Sequence, residues 1–262
     1  MVLSTISSSV GYSLESVGKF EKHGINTLKD PISWIAGGIA GVVGRAAVIP
    51  LDQGGGKGPL HAIARRGPQT AILFGLYVPI ASTMNSDTHN PQHKLLSTFV
   101  IGSVAGYWMR AITNPIGRIL DESTRLGVGP RDAAKRMRSK TILHFYYCSP
   151  PLVANALYFG SLFTAFEGLR RFAERNGAPT DNVVSATLLN GLCGAAAATV
   201  ASVATFPFSS HRYSQVVIHD SAIVRGLPAT LMKEVPLMAV TFATFSFISQ
   251  SINSYQRGGF GY

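Results

Sequence analysis

The sequence predicts an all-α membrane protein with six transmembrane helices arranged as three tandem two-helix repeats. This expectation rests on the composition, on the length of the apolar runs and on a small-residue pattern that occurs three times. Only 14% of the 262 residues are charged, against about 25% in ordinary soluble domains, and 46% are apolar. The mean hydropathy is positive, at +0.22.

Six apolar runs account for the predicted helices. Each is roughly 20 residues long, which is enough for a helix to cross the hydrocarbon core of a bilayer. The runs cover about residues 33–52, 69–88, 97–116, 150–169, 186–207 and 232–252. They leave little material for a separate soluble domain.

The repeat is defined by two small residues that precede a proline by 13 and 9 positions. It occurs as Gly37, Gly41 and Pro50, as Gly102, Gly106 and Pro115, and as Gly194, Ala198 and Pro207. One small-xxx-small pair is a weak signal, but three in the same register indicate an internal repeat. We divide the chain into a polar segment 1–30, repeats 31–96, 97–184 and 185–252, and a tail 253–262.

The loop charges predict a topology. Loops 52–66, 118–140 and 208–230 hold 12 Lys and Arg against 5 Asp and Glu, whereas segments 1–30, 85–96 and 171–184 hold 6 against 6. Positive charge stays on the side from which a membrane protein inserts, so both termini are expected on the opposite side. Residues Asp132 to Lys140 are expected to form an amphipathic helix that contacts lipid headgroups.

Other classes of protein fit poorly. The formal charge of +10 could indicate nucleic-acid binding, but no basic and aromatic module stands apart from the apolar runs. Cys148 and Cys193 lie in or beside apolar segments and are expected to be core residues rather than a disulfide or metal pair. The histidines lack metal-ligand spacing, and no nucleophile motif is present, so we expect neither an enzyme nor a metal site.

Several motifs resemble one known family. The first copy has Ala36 to Gly41, Pro50-Leu51-Asp52, Arg66-Gly67-Pro68 and Phe74-x-x-Tyr77, and the third has Arg225 to Pro228 and Pro236 to Phe242. The second copy has Gly102 to Gly106, Thr113 to Pro115 and Phe166-Glu167-x-x-Arg170. Over roughly residues 31–252 this pattern resembles the mitochondrial carrier family. The resemblance implies a pseudo-threefold six-helix barrel in the inner mitochondrial membrane, with basic loops toward the matrix and both termini toward the intermembrane space.

The family's matrix-side ion pairs are not preserved. Family members carry Pro-x-acid-x-x-base in each copy, and each acid pairs with the base of the next copy. The corresponding residues here are Pro50, Asp52 and Gly55, then Pro115, Gly117 and Leu120, then Pro207, Ser209 and Arg212. The resemblance therefore leaves no complete pair among the three.

The family's second set of ion pairs, which lies on the intermembrane side, is also incomplete. It uses an aromatic residue, an acid and a base three residues later. The copies here read Tyr77-Val78-x-x-Ala81, Phe166-Glu167-x-x-Arg170 and Phe245-Ser246-x-x-Ser249. Only the second copy keeps its charges, and Tyr158-Phe159-Gly160 offers a competing register earlier in the same helix.

Basic residues remain where the family binds its substrate. The resemblance places Arg65 and Lys233 three residues before the prolines of the even helices, and Arg45 and Arg110 five residues before those of the odd helices. Charges inside membrane segments are expensive and usually functional. These four could attract a phosphate or carboxylate, or they could contact a phospholipid such as cardiolipin, extend toward the membrane surface or pair with Glu234.

Two functions follow as hypotheses. Loss of both ion-pair rings predicts a carrier-fold protein that no longer transports and serves as a structural accessory subunit of a larger inner-membrane assembly, such as a respiratory complex or ATP synthase. Its partners would be the bilayer and other membrane subunits, with no cofactor and no nucleic acid. The alternative is an active exchanger of a small anionic metabolite.

Overall fold

A computed structural model describes residues 31–51, 59–86, 91–138, 150–178, 182–210 and 220–258. Within these ranges the chain is helical and contains no strand. The elements are α1 (Pro31–Val48) with a following 3-10 turn (Ile49–Leu51), α2 (Pro59–Ser86), α3 (Pro91–Leu126), α4 (Pro130–Arg138), α5 (Pro150–Arg175), α6 (Val183–Ser210) and α7 (Asp220–Gly258). The expectations for residues 1–30, Asp52, Cys148 and Arg212 lie outside the described residues.

The six long helices form a closed ring. Within the three copies, α1 packs on α2, α3 on α5 and α6 on α7. Between copies, α2 packs on α3, α5 on α6 and α7 on α1, so the last helix returns to the first. This arrangement confirms the predicted all-α fold of paired helices.

Five helices are long and apolar enough to cross a membrane. The candidate spans are Pro31–Val48, His93–Pro115, Leu152–Arg175, Val183–Phe206 and Thr230–Ile252. Residues 69–86 of the predicted second span lie in α2, and no part of α2 is among the candidate spans. Its apolar stretch is shortened by Gln69 and Thr70 at one end and by four polar residues, Ser82, Thr83, Asn85 and Ser86, at the other.

The prolines of the repeat differ in whether they end their helices. In the first copy, α1 ends at Val48 and gives way to the 3-10 turn that contains Pro50. In the other odd helices, α3 continues past Pro115 to Leu126, and α6 continues past Pro207 to Ser210. A proline removes one backbone hydrogen bond, but membrane helices tolerate this where neighbouring groups compensate. Helix α2 begins at Pro59, ten residues before the apolar run 69–88 that predicts it.

The predicted surface helix is present as α4. The turn that precedes it contains Gly127 with φ of 62°, a left-handed conformation common after a helix. The Val128 amide donates to the Ser123 carbonyl (3.2 Å), and the Ser123 hydroxyl donates to the Val128 carbonyl (2.6 Å). Ala133 is fully buried, whereas Arg131 and Lys135 are exposed, so α4 is amphipathic with an outward basic face.

The recurring small residues are points of close helix packing. A Cβ atom built on Gly37 would lie 2.9 Å from the Cβ of Phe74, and one on Gly194 would lie 2.8 Å from the ring of Phe242. On Gly102 it would lie 3.1 Å from the ring of Phe163. The first small residue of each copy therefore makes room for one phenylalanine of the paired helix.

The outer surface of the ring is apolar, and apolar side chains of all three copies pack together inside it. Large apolar side chains on the outside are exposed, including Ile35, Val100, Leu188 and Leu192, as expected for contact with lipid tails. A continuous internal cluster draws on all three copies. Its buried members are Leu73, Phe74, Ala105, Met109, Phe159, Leu162, Phe163, Ala197, Ala198, Ala201, Met238 and Phe242.

Candidate functional site

The centre of the barrel interior is occupied by three phenylalanines, one from each copy. Phe74 of α2, Phe163 of α5 and Phe242 of α7 form a triangle whose ring centroids are 5.7 to 6.0 Å apart. The interplanar angles of 75° to 88° are edge-to-face arrangements. Such pairs place the positive ring edge against the negative ring face, and they stabilise beyond the area buried.

A second set of rings lies one turn further along the same helices. Each copy carries Phe-x-x-Phe or Phe-x-x-Tyr, so the second ring follows the first by three residues and lies on the same helix face. The stacked pairs are Phe74 with Phe245 (4.2 Å between centroids), Phe163 with Tyr77 (3.6 Å) and Phe242 with Phe166 (4.3 Å). Every stack joins two copies, and every copy takes part in two stacks. We call these six residues the aromatic cluster.

This geometry decides the register of α5. Phe163 and Phe166 take the positions that Phe74 and Tyr77 hold in the first copy and Phe242 and Phe245 in the third. Glu167 consequently corresponds to Val78 and Ser246, as the motif Phe166-Glu167-x-x-Arg170 requires. The alternative register at Tyr158-Phe159-Gly160 is not the one adopted.

The charges beyond the aromatic cluster pair within one helix. Arg171 donates to the Glu167 carboxylate at 2.8 Å, and Arg170 donates to Glu174 at 2.8 Å. Both pairs have i,i+4 spacing on α5 and join no two copies. Glu167 and Arg170, which the motif sets together, therefore have different partners.

In the third copy a neutral hydrogen-bond network occupies the corresponding position. Asn190 of α6 donates to the Ser246 hydroxyl at 2.8 Å, and Gln250 donates to the same oxygen at 2.8 Å. The first link joins α6 to α7 within that copy. Such a network holds a helix pair together without any charge.

The predicted basic residues lie on four different helices. Arg45, Arg110 and Lys233 are half-buried on α1, α3 and α7, and each interacts with another group. Arg65 falls on α2, and Pro115 and Pro207 lie within α3 and α6. Pro50 is exposed in the 3-10 turn.

A cluster of polar side chains inside the barrel is not predicted as a cluster from the sequence. The Tyr158 hydroxyl of α5 lies beside Ser202 of α6 and the Glu234 carboxylate of α7, with Arg66 of α2 close enough to act on it electrostatically. These contacts fall short of regular hydrogen-bond geometry. The Tyr158 hydroxyl, the Ser202 hydroxyl and the Nε atom of Arg66 are therefore buried without a hydrogen-bond partner.

The register of the repeats relates two residues of this polar cluster to each other. Arg66 and Glu234 each precede the triangle phenylalanine of their own copy by eight residues, and Asn155 does so in the second. Asn155 donates to the Gly106 carbonyl at 3.0 Å and links α5 to α3. The equivalence of Asn155 to Arg66 and Glu234 follows only from the register of α5 that the structure shows.

Comparison with known proteins gives one distant relationship. The chain is 23% identical over 284 aligned positions to a protein of Dictyostelium discoideum described as "Mitochondrial substrate carrier family protein P". The alignment covers 85% of this chain and 94% of that protein, so the likeness extends over most of each chain. No family model matches the chain.

Proposed function

We propose that this chain is a divergent member of the mitochondrial carrier family that resides in the inner mitochondrial membrane. There it serves as a structural subunit of a larger membrane assembly rather than as an exchanger. The similarity to a carrier-family protein over 85% of the chain and the closed ring of three helix pairs support the family.

The observation that carries the structural role is the pairing of charges on α5. A transporter of alternating access needs two states of similar energy, each held by contacts that are broken in the other. Ion pairs between copies are suited to that purpose because they form and break locally. Glu167 and Arg170 instead pair with Arg171 and Glu174 of their own helix, a contact that rigid-body movement of the copies leaves intact.

The packing of the helices is consistent with this proposal. The aromatic cluster joins all three copies, and the glycine contacts bring the paired helices into close contact. A subunit whose task is to hold a fixed shape benefits from such packing. Its lipid-facing apolar side chains would then be covered in part by neighbouring subunits.

Native separation of the membranes tests the proposal. Solubilisation in a mild detergent followed by blue-native electrophoresis should place the chain in a band far larger than its own 27.9 kDa. Migration only as a free 27.9 kDa species contradicts the structural role. The same membranes, solubilised in a harsher detergent, provide the dissociated control.

A transport assay separates this proposal from the exchanger. Purified chain in liposomes, offered labelled phosphate and carboxylate anions, should show no saturable uptake above protein-free vesicles. Saturable uptake that Arg110→Ala abolishes would establish the exchanger instead. Arg131→Ala, which removes an exposed arginine on α4, is the matched control and should change nothing.

A further inference from the structure

The outer face of α3 differs at one level from the outer faces of α1 and α6. Counted from the small residues and the proline of the repeat, Trp108 takes the position of Val43 in α1 and Val200 in α6. All three side chains point outward, with exposed fractions of 53%, 40% and 53%. Tyr107 is also exposed, and its ring meets the indole edge to face at 5.9 Å between centroids. Two copies therefore present an aliphatic side chain at this level, whereas the second copy presents an aromatic pair.

The aromatic pair lies at the depth of the lipid tails. The candidate span of α3, His93–Pro115, has Val104 at its middle. Trp108 follows Val104 by about one turn, so it lies about 6 Å from the middle, whereas the hydrocarbon core extends about 15 Å to each side. Side chains lean toward the N-terminus of their helix, which directs the indole toward the middle of the span. Trp108 is therefore not placed as an anchor at the membrane surface, the usual position of tryptophan.

The polar atoms of the pair lack hydrogen bonds. Within the described part of the chain, neither the indole N–H of Trp108 nor the hydroxyl of Tyr107 forms one. Thr199, the counterpart of Tyr107 on α6, donates its hydroxyl to the Ala195 carbonyl of its own helix at 3.1 Å. A phenol hydroxyl is too far from its own backbone to do the same. Lipid tails offer no acceptor, so both groups are costly at this depth unless another molecule supplies one.

Trp108 belongs to a straight ridge along the outside of α3. Five exposed side chains follow one another at intervals of four residues, namely Leu96, Val100, Val104, Trp108 and Ile112. The ridge is about 24 Å long by helix rise. Rows with this spacing pack into the groove of a second helix. Since a helix also satisfies its own backbone in lipid, the shape of this face suits one transmembrane helix.

We propose that this ridge of α3 is the docking surface for one transmembrane helix of a different subunit, which presents a hydrogen-bond acceptor to Trp108 and Tyr107. The acceptor is a serine, threonine, asparagine or glutamine side chain, the residues that join helices by hydrogen bonds in membranes. A second molecule of this chain would bring the same donors, whereas a helix of another subunit can bring the acceptor. The inference rests on the proposed function, because it places one neighbouring subunit of the assembly.

Photo-crosslinking in intact membranes identifies the neighbour. A benzophenone amino acid replaces Val104 in the full chain, about one turn from Trp108. In two control variants it replaces the counterparts Ile39 and Ala196, which are exposed on α1 and α6. Mass spectrometry of the cross-linked peptides then locates the partner residue.

The expected result is one protein adduct at position 104, within an apolar membrane segment that carries a polar side chain close to the cross-link. The two control positions should not give that adduct. Adducts with lipid alone, an adduct with a second molecule of this chain, or the same adduct in equal yield at all three positions would each overturn the docking surface.

Substitution of Trp108 measures what the aromatic pair contributes. In blue-native electrophoresis, the ratio of assembled to free chain should fall about tenfold in Trp108→Val, the equivalent of one interhelical hydrogen bond. Trp108→Phe keeps a ring but loses the N–H and should also lower the ratio, though by less. Val200→Ala on α6 is the matched control and should change nothing. All three variants should keep the wild-type thermal transition, because these side chains lie outside the ring of helices.

The outcomes separate this inference from the proposed function. If the wild type is assembled and Trp108→Val is assembled to the same extent, the docking surface is wrong and the structural role stands. A ratio in Trp108→Phe equal to that of the wild type would contradict the hydrogen bond to the indole. Migration of the wild type as free chain alone contradicts the structural role, and the cross-link at position 104 then decides the docking surface by itself.

Discussion

Single glycines determine how closely the paired helices approach. At Gly41 an added Cβ atom would overlap the Oγ1 atom of Thr70 and come within 2.7 Å of its Cβ atom. Thr70 has little freedom to move, because its hydroxyl donates to the carbonyls of Arg66 (2.9 Å) and Gly67 (3.1 Å). Any larger residue at position 41 must therefore push the backbones of α1 and α2 apart.

Gly41→Ala should lower the free energy of unfolding by about 1–3 kcal/mol, the usual result of overpacking. Gly38→Ala is the matched control on the same helix, since its Cβ would lie 3.5 Å from the Cβ of Ala71, an ordinary contact. Alanine favours the helix over glycine by about 1 kcal/mol, so Gly38→Ala should be neutral or stabilising. Thermal unfolding of the purified protein in detergent measures both, and equal transition temperatures for the two variants would contradict the packing argument.

The sequence located these glycines but not the residues they face. The register between small residues and prolines is constant in the three copies, which is why the repeat was visible. The separation from Gly37 to Phe74 differs from that between Gly102 and Phe163, because the connecting loops differ in length. The pairing across each helix pair depends on tertiary packing, so the aromatic cluster could not be predicted from spacing alone.

At the scale of helices, α5 differs most from its counterparts. It carries charges at positions where α2 has Val78 and Ala81 and α7 has Ser246 and Ser249. It also lacks the proline found at Pro68 and Pro236, with Leu157 in that position. Because this proline is missing, the sequence alone allows two registers for α5. The stacking of Phe163 and Phe166 on rings of the other copies determines which one is adopted.

The charge pairs of α5 should contribute little to stability. Arg170 and Glu174 have side chains that are 47% and 40% exposed, and i,i+4 pairs of this kind are worth about 0.3–0.5 kcal/mol. Arg170→Ala should therefore change the free energy of unfolding by no more than about 0.5 kcal/mol, and added salt should reduce the change.

The two pairs also permit a check on the assignment of partners. In double-mutant cycles measured by thermal unfolding, Glu167 should couple to Arg171, whereas its coupling to Arg170 should be close to zero. A coupling between Glu167 and a residue of another copy that exceeds the coupling to Arg171 would restore the ionic ring.

At the scale of the whole molecule, the ring closes where α7 packs against α1. The chain provides no short connection at this seam, because these are the first and last helices of the ring. The two helices approach closely at Gly44, where an added Cβ would overlap the Oγ1 atom of Thr241 and come within 3.1 Å of the Leu237 carbonyl oxygen. Thr241 is 1% exposed and donates to that same carbonyl at 2.7 Å.

Closure of the ring at this seam predicts a specific dependence between two substitutions. Gly44→Ala should lower the thermal stability, because the new methyl group overlaps the Thr241 hydroxyl and forces α1 away from α7. Thr241→Ala removes that hydroxyl, so the double variant should recover much of the loss. The non-additivity should be about 0.5–3 kcal/mol, the range for residues in contact.

A glycine that contacts a different helix provides the control for this pair of substitutions. Combining Thr241→Ala with Gly41→Ala, whose contact is with α2, should give additive effects. If Gly44→Ala and Thr241→Ala were also additive, the two helices would not meet at these residues. The six helices would then form an open array, and the threefold contact among the aromatic rings would lack the closed frame that holds it.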